Sequence, residues 1–251
     1  MSESGRLGII HVHSEYSHDG RDSIAALHQF ALARGIGFIG LTDHAEDFEP
    51  DRYVALQQEC AAVSDARVRI IAGLEYRFNG FPGLHLLALG LSKWIAPRTP
   101  ADFIRQTAGV AGFTIMAHPV LPNYEMPDEV RAGIDAIEVW NASYNTRYLP
   151  DPRAIRLLHQ INATRPEVVG TAGLDQHDAR NDRGTRVLLL EETSDPLAAL
   201  RAGRFVNRGA TCSFDSHASF SQLSMTGLWG ARTALDLVNL VHERVMRTVK
   251  A

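Results

Sequence analysis

Short apolar runs alternate with helical patterns over most of this chain, and that alternation narrows the possible folds more than any other feature. Residues 7–11, 38–42, 68–74, 84–91, 114–117, 136–140, 168–173 and 186–190 read as strands. Between and after them lie helical patterns at 23–34, 51–66, 101–111, 152–164 and 196–202. Ser23 is a good N-cap residue for the first helix and Gly35 a good stop. Strand, helix and strand repeated in this way argue for an α/β fold with βα units and a mainly parallel sheet. The 251 residues suffice for one large domain with a real core, and they match the usual size of an α/β barrel. No internal repeat or linker divides residues 1–251, so a single domain is expected. A last helix at 229–250 places Leu235, Val238, Val241, Val245 and Val249 at spacings of three and four, an apolar face expected to dock on that domain.

The chemistry clusters where the apolar runs end. The first run leads into His11-Val12-His13-Ser14-Glu15-Tyr16-Ser17-His18-Asp19-Gly20. Two histidines two residues apart on a strand point to one side of it, where their imidazoles can grip a single ion. Asp19 lies one short loop further on. The second run closes on Thr42-Asp43-His44, the third on Gly73-Leu74-Glu75, a later one on Ala117-His118-Pro119, and another on Leu174-Asp175-Gln176-His177. His85 sits inside its own run. In a parallel barrel the C-terminal ends of the strands open on one face, where such folds place their chemistry.

The candidate metal ligands are therefore His11, His13, Asp19, His44, Glu75, His85, His118, Asp175 and His177. Six imidazoles and three carboxylates exceed what one ion needs; they suit two or three divalent ions such as zinc, manganese or iron. Three such ions against three carboxylates leave about three positive charges in a cleft, which attracts an anionic substrate and stabilises charge building on phosphorus. Bridging metals can also hold a hydroxide ready for in-line attack at neutral pH.

As a set these motifs resemble the PHP (polymerase and histidinol phosphatase) superfamily. The opening H-x-H-S-x-x-S-x-D-G, the T-D-H, the glutamate after the third strand, the H-P and the D-x-H are all present between about residues 7 and 180. The resemblance implies a distorted (β/α)7 TIM-like barrel with a trinuclear metal site at the C-terminal ends of its strands. It implies that His11, His13, Glu75 and Asp175 hold one ion, that Glu75, His85 and His118 hold a second, and that Asp19, His44 and His177 hold the third. It makes His44, Glu75, His118, Asp175 and His177 the catalytic set of a stand-alone metal-dependent phosphoesterase.

Substrate contacts are expected from the strand ending at Asn141, with Tyr144 and Arg147 on the loop beyond it; Arg147 would clamp a phosphate or carboxylate. Tyr76 and Arg77 border the same place. The net charge of −4 and the presence of only two lysines, Lys93 and Lys250, argue against a general nucleic-acid binder. The partner expected is a small anionic, phosphorylated molecule. Cys60 and Cys212 match no zinc or redox spacing, and with no signal peptide or membrane-length apolar run a cytoplasmic enzyme is expected. The main reading is a phosphomonoesterase. The alternatives are an exonuclease or phosphodiesterase, a carboxylic or carbamate ester hydrolase on the same fold, and a non-enzymatic metal-binding role.

Overall fold

A computed structural model describes residues 5–145, 148–191 and 193–249, with side chains described as far as residue 238. In chain order the strands are β1 (Leu7–Val12), β2 (Phe38–Leu41), β3 (Asp43–His44), β4 (Arg69–Ile71), β5 (Gly73–Arg77) and β6 (His85–Leu89). They continue as β7 (Phe113–Met116), β8 (Ala136–Asn141), β9 (Val169–Gly173), β10 (Arg186–Leu189), β11 (Phe205–Arg208) and β12 (Ser213–Asp215). The helices are α1 (Ile24–Arg34), α2 (Pro50–Val63), α3 (Pro100–Thr107), α4 (Asp128–Gly133), α5 (Pro152–Asn162), α6 (Pro196–Arg201) and α7 (Gln222–Val249). Ser23 caps α1 by accepting the Ala26 N–H, and Gly35 ends it at φ 64°.

The strands form two six-stranded sheets, ordered β12-β11-β10-β1-β2-β4 and β3-β5-β6-β7-β8-β9. The α/β class expected from the alternation is present, but the pairing is mixed. β1, β2 and β4 run parallel, as do β7, β8 and β9. β6 is antiparallel to both β5 and β7, and β10, β11 and β12 add antiparallel pairs beside β1. The reversal of β6 has a local cause: only residues 78–84, with the Gly80–Gly83 turn among them, separate it from β5, too little chain for a parallel crossover. The predicted second and third strands each break once, giving β2 with β3 and β4 with β5, so each contributes to both sheets. Beyond β9 the chain bonds to β1: Leu174 N–H donates to Ile10 O, Gln176 N–H to His11 O, and His13 N–H to Gln176 O.

An apolar cluster joins the two sheets. Ile10, Phe38, Ile71, Leu87, Leu89, Phe113, Ile115, Ala136 and Val169 meet there with Val187 and Phe205. A larger cluster holds the helices against the opposite strand faces, with Ile9 and Val12 of β1 beside Ile24 and Leu27 of α1. Side-chain alternation then decides which residues share a face with the joining cluster: in β6, His85 lies on the side of Leu87 and Leu89.

Helix α7 begins before the predicted start, because the Ser221 hydroxyl accepts the Ser224 N–H. It meets α5 where the Arg156 guanidinium lies 4.5 Å over the Trp229 ring and Arg153 pairs with Asp236 at 3.1 Å. Val238, expected on the docked face, is 63% exposed. Trp229 and Asp236 make these contacts with α5; the side chains of Val241, Val245 and Val249, the rest of the expected face, lie outside those described. Residues 250 and 251 fall outside the described residues. No described helix is long and apolar enough to cross a membrane.

One surface knot ties the chain after β9 to α1. Asp182 accepts from both Arg186 Nη atoms (2.9 and 2.6 Å), from Arg34 Nε (2.9 Å) and from the Gly184 N–H (3.0 Å). Burial opposes its charged form, but these donors outweigh burial and hold the carboxyl below its usual range. A folded pKa below the unfolded one stabilises the fold above the unfolded value, near 3.9, and that contribution vanishes as pH falls through the folded value. Asp182→Asn therefore lowers stability at pH 7 and flattens its fall between about pH 4 and the folded pKa. Urea unfolding at a series of pH values reads this; parallel wild-type and variant curves over the whole range would refute it.

Candidate metal centre

A bulge in one strand and left-handed residues just past the ends of two others build the site. In β1, Ile9 and Val12 face the helices and Ile10 faces the joining cluster, so simple alternation would turn His11 outward. The register slips between Ile10 and Val12, and His11 is the extra residue, at φ 65°. That bulge turns His11 to the side already held by Ile10 and His13. His118 (φ 25°) and Asp175 (φ 50°) also occupy the left-handed region, which non-glycine residues seldom adopt and which concentrates at functional sites.

The centre of the arrangement is Glu75, 1% exposed. Its Oε1 lies 2.7 Å from His85 Nδ1 and 3.4 Å from His118 Nε2. Its Oε2 lies 3.1 Å from His44 Nδ1 and 3.5 Å from His13 Nε2. Asp175 Oδ1 stands 3.4 Å from His11 Nε2 and 3.3 Å from His13 Nε2. Asp19 Oδ2 is 3.3 Å from both His44 Nε2 and His177 Nε2. All nine residues singled out in the sequence are thus brought to one place. His85 joins them because β6 is antiparallel: its first residue pairs with Arg77, at the C-terminal end of β5.

Ligand atoms lie within 4.8 Å of one another in three overlapping groups: His11 with Glu75 and His118; His11 and His13 with Asp175; and His13 with Asp19, His44 and His177. The expected sets differ from these: His85 is in none of the three groups and meets the site through Glu75, Glu75 is absent from the group of His11, His13 and Asp175, His11 takes the place expected for His85 beside Glu75 and His118, and His13 also joins the third group. His11 Nε2, His13 Nε2 and His118 Nδ1 are buried without a hydrogen-bond partner, a costly state for a ring nitrogen unless a ligand meets it. The nitrogen and oxygen donors suit zinc, manganese or iron. Burial drives the His13 ring down to about 4, leaving it neutral and able to ligate. For His11, burial opposes protonation, but Glu138 and Asp175 outweigh it and raise the ring well above its usual value. A cation at Nε2 would satisfy the same field. Burial also opposes charge on Glu75, yet its imidazole partners hold it well below the carboxylate range.

Several residues are wiring. Asp43 accepts from the Ser14 N–H (2.6 Å), the Ser14 hydroxyl (2.8 Å) and the Ser17 hydroxyl (2.9 Å). Ser17 Oγ also accepts the His44 N–H at 2.9 Å. The serines of the opening motif therefore lock the first histidine loop to β3. Gly20 lets that loop close, since a Cβ there would meet Ser14 O at 1.9 Å.

Asn141 does not face the cleft. It is fully buried, donates to Glu138 Oε2 (2.8 Å) and accepts the N–H groups of Ser143 (2.9 Å) and Tyr144 (3.1 Å), which consumes its side chain in the turn. Tyr144 does face it, with its ring 4.6 Å from that of His118. Arg147 lies outside the described residues. Arg77 shares the Glu75 face of β5 and brings Nη2 to 3.2 Å from His44 Nε2. Tyr76 points the other way, into the helix-side core. His18 is exposed and bonded to Asp47, Arg180 is held by Asp178, and His217 is exposed beside Gly203.

Sequence reasoning did not single out Glu138 as functional. It is fully buried, between His11 and the His118 backbone. One signal was available: a glutamate in the otherwise apolar stretch Ala136-Ile137-Glu138-Val139-Trp140, where a charge must have a strong partner.

A family model, the PHP domain, matches residues 10–201. The fold is similar to that of PsfC from Pseudomonas syringae PB-5123, at TM-score 0.60 and 15% identity, covering 82% of this chain and 92% of that one. It is similar to an amidohydrolase from Chromobacterium violaceum with bound sulfate and no metal, at TM-score 0.52 and 16% identity, covering 78% and 96%. A candidate metal-dependent phosphoesterase from Bifidobacterium adolescentis ATCC 15703 aligns at TM-score 0.49 and 16% identity, covering 70% and 89%. No curated protein matches the sequence.

Proposed function

The chain belongs to the PHP domain family, and from that premise we propose a metal-dependent hydrolase whose substrate is a small phosphomonoester. The observation that carries this reading is Glu75: a buried carboxylate within 3.5 Å of four imidazoles, beside three overlapping sets of ligand atoms. In this reading His11, His13, Glu75, His85, His118 and Asp175 would hold two ions, and Asp19, His44 and His177 would hold a third. Divalent ions bound there supply Lewis acidity toward an anionic oxygen and lower the pKa of a coordinated water.

The chain's own groups favour an anion. Arg77 stands at the mouth beside His44, with Glu46 3.5 Å from its other Nη atom, and its planar fork suits a phosphoryl group. Tyr144, 42% exposed beside His118, offers a hydroxyl to an incoming oxygen. In this reading Arg77 and Tyr144 orient the substrate, while the left-handed turns at His11, His118 and Asp175 keep the ligands in place before it arrives.

Aryl phosphomonoester, phosphodiester and carboxylic-ester reporters, offered to manganese- or zinc-loaded protein with His44→Ala as control, test the proposal. Monoester turnover that disappears in the variant is expected. Turnover of the diester alone would move the substrate to nucleotides or nucleic-acid ends. Turnover of the carboxylic ester alone would overturn the phosphoesterase reading.

A further inference from the structure

Glu138 is a fully buried carboxylate that belongs to none of the ligand groups. Its Oε1 accepts from His11 Nδ1 at 2.7 Å. Its Oε2 accepts the His118 N–H at 2.8 Å and the Asn141 side-chain N–H at 2.8 Å. The two ends of this carboxylate thus bind the two histidines whose backbones are left-handed, at φ 65° and 25°. Room for it comes from Gly173 on the neighbouring β9, where a Cβ would stand 1.8 Å from Glu138 Oε1.

We infer that Glu138 is a positioning residue for metal binding: by accepting from His11 Nδ1 it fixes the ring so that Nε2, with its lone pair, faces Asp175 and Glu75. The inference rests on the metal-site part of the proposed function and not on the identity of the ester. The chemistry follows from the bonds. The His118 backbone N–H and the Asn141 side-chain N–H can only donate, so Oε2 must accept; with the carboxylate ionised Oε1 accepts as well, and His11 Nδ1 then carries the ring proton. A glutamine of the same shape has one acceptor oxygen. If that oxygen faces His11, its NH2 meets the donors of His118 and Asn141. If the NH2 faces His11, it donates to Nδ1 and moves the ring proton to Nε2, the atom that must bind the ion. The bond between His11 and Glu138 also settles how β1 is aimed, because the bulge at His11 has Glu138 as its polar anchor.

The test is a double-mutant cycle on metal affinity in the full chain. Zinc and manganese are titrated into chelator-stripped wild type, Glu138→Gln, His11→Ala and the double variant, with circular dichroism to establish folding. Glu138→Gln is expected to weaken binding about 10–100-fold, the usual cost of losing a carboxylate behind a ligating histidine. It is expected to add much less once His11 is alanine, because the part of its effect that acts through His11 is then already lost and only the part carried by the His118 N–H remains. Gly173→Ala, which removes no polar group, is expected to reproduce the loss by displacing the carboxylate. Equal weakening by Glu138→Gln in both backgrounds would make Glu138 a general structural residue and overturn the inference, as would unchanged affinity in the folded single variant. If Glu138→Gln does not fold, the cycle is run with Gly173→Ala. If neither folds, the carboxylate belongs to the folding core and the positioning role is rejected. Because binding is read without substrate, failure of the ester panel leaves this result untouched, and a failed cycle leaves the ester assignment standing.

Discussion

Glu75→Gln is expected to abolish turnover, with kcat/KM falling by about three orders of magnitude or more. The change is nearly isosteric, so the backbone of β5 and the apolar neighbours Leu74 and Tyr76 keep their packing. What changes is charge and hydrogen bonding at the centre of the cradle. The carboxylate faces His85, His118, His44 and His13 at 2.7 to 3.5 Å. An amide removes the negative charge that those rings and any shared cation require, and it points an N–H at a ring nitrogen. Losing a Lewis-acid contribution of several kcal/mol corresponds to on the order of 10³-fold in rate, at 1.36 kcal/mol per tenfold. The check is steady-state kinetics on the folded variant alongside its bound-metal content. Turnover within tenfold of wild type, with metal content unchanged, would remove Glu75 from the centre of the mechanism.

Metal removal is the second large effect. Chelation should silence activity and also lower thermal stability, because the ions bind the folded chain and have no comparable site in the unfolded one. At free metal about a hundred times the dissociation constant, one site contributes about 2.7 kcal/mol. For a chain of this size that corresponds to roughly 5–10 °C in melting temperature. The direction follows from the buried groups: His11 Nε2 and His13 Nε2, which face Asp175 and Glu75, have no hydrogen-bond partner and would gain one from a bound ion. Melting curves with and without chelator, followed by stepwise return of manganese or zinc, read the shift. A melting point that does not move on metal return, in protein shown to have bound the metal, would mean that the cradle is equally stable without it. The two experiments differ in what they load. The glutamate variant tests one group's chemistry, and chelation tests the whole cradle.

Much of the site was legible because its residues stand at a repeated place in the pattern, the end of an apolar run. That rule found His11, His13, His44, Glu75, His118, Asp175 and His177 without any knowledge of which strands pair. His85 broke the rule. Its position makes sense only once β6 is seen to run antiparallel, so that the start of one strand lies beside the end of the next. Asn141 obeyed the rule and still turned away from the cleft, because its amide had nearer partners in Glu138 and the following turn. Arg77 was noticed only as a neighbour of Glu75. Strand alternation puts it on the same face, and the structure brings it to His44.

Sequence by itself determined the α/β class, the helix caps at Ser23 and Gly35, and the inventory of ligand types. Those properties follow from short-range periodicity and side-chain chemistry, which the chain carries wherever it goes. Tertiary structure alone decided the two-sheet pairing, the reversal of β6, the bulge that turns His11 inward and the place of Glu138. Each depends on which strand lies beside which. A carboxylate in an apolar strand becomes an anchor only when the donors from β1 and from the turn after β7 arrive at its two oxygens, and when the neighbouring strand offers a glycine to make room.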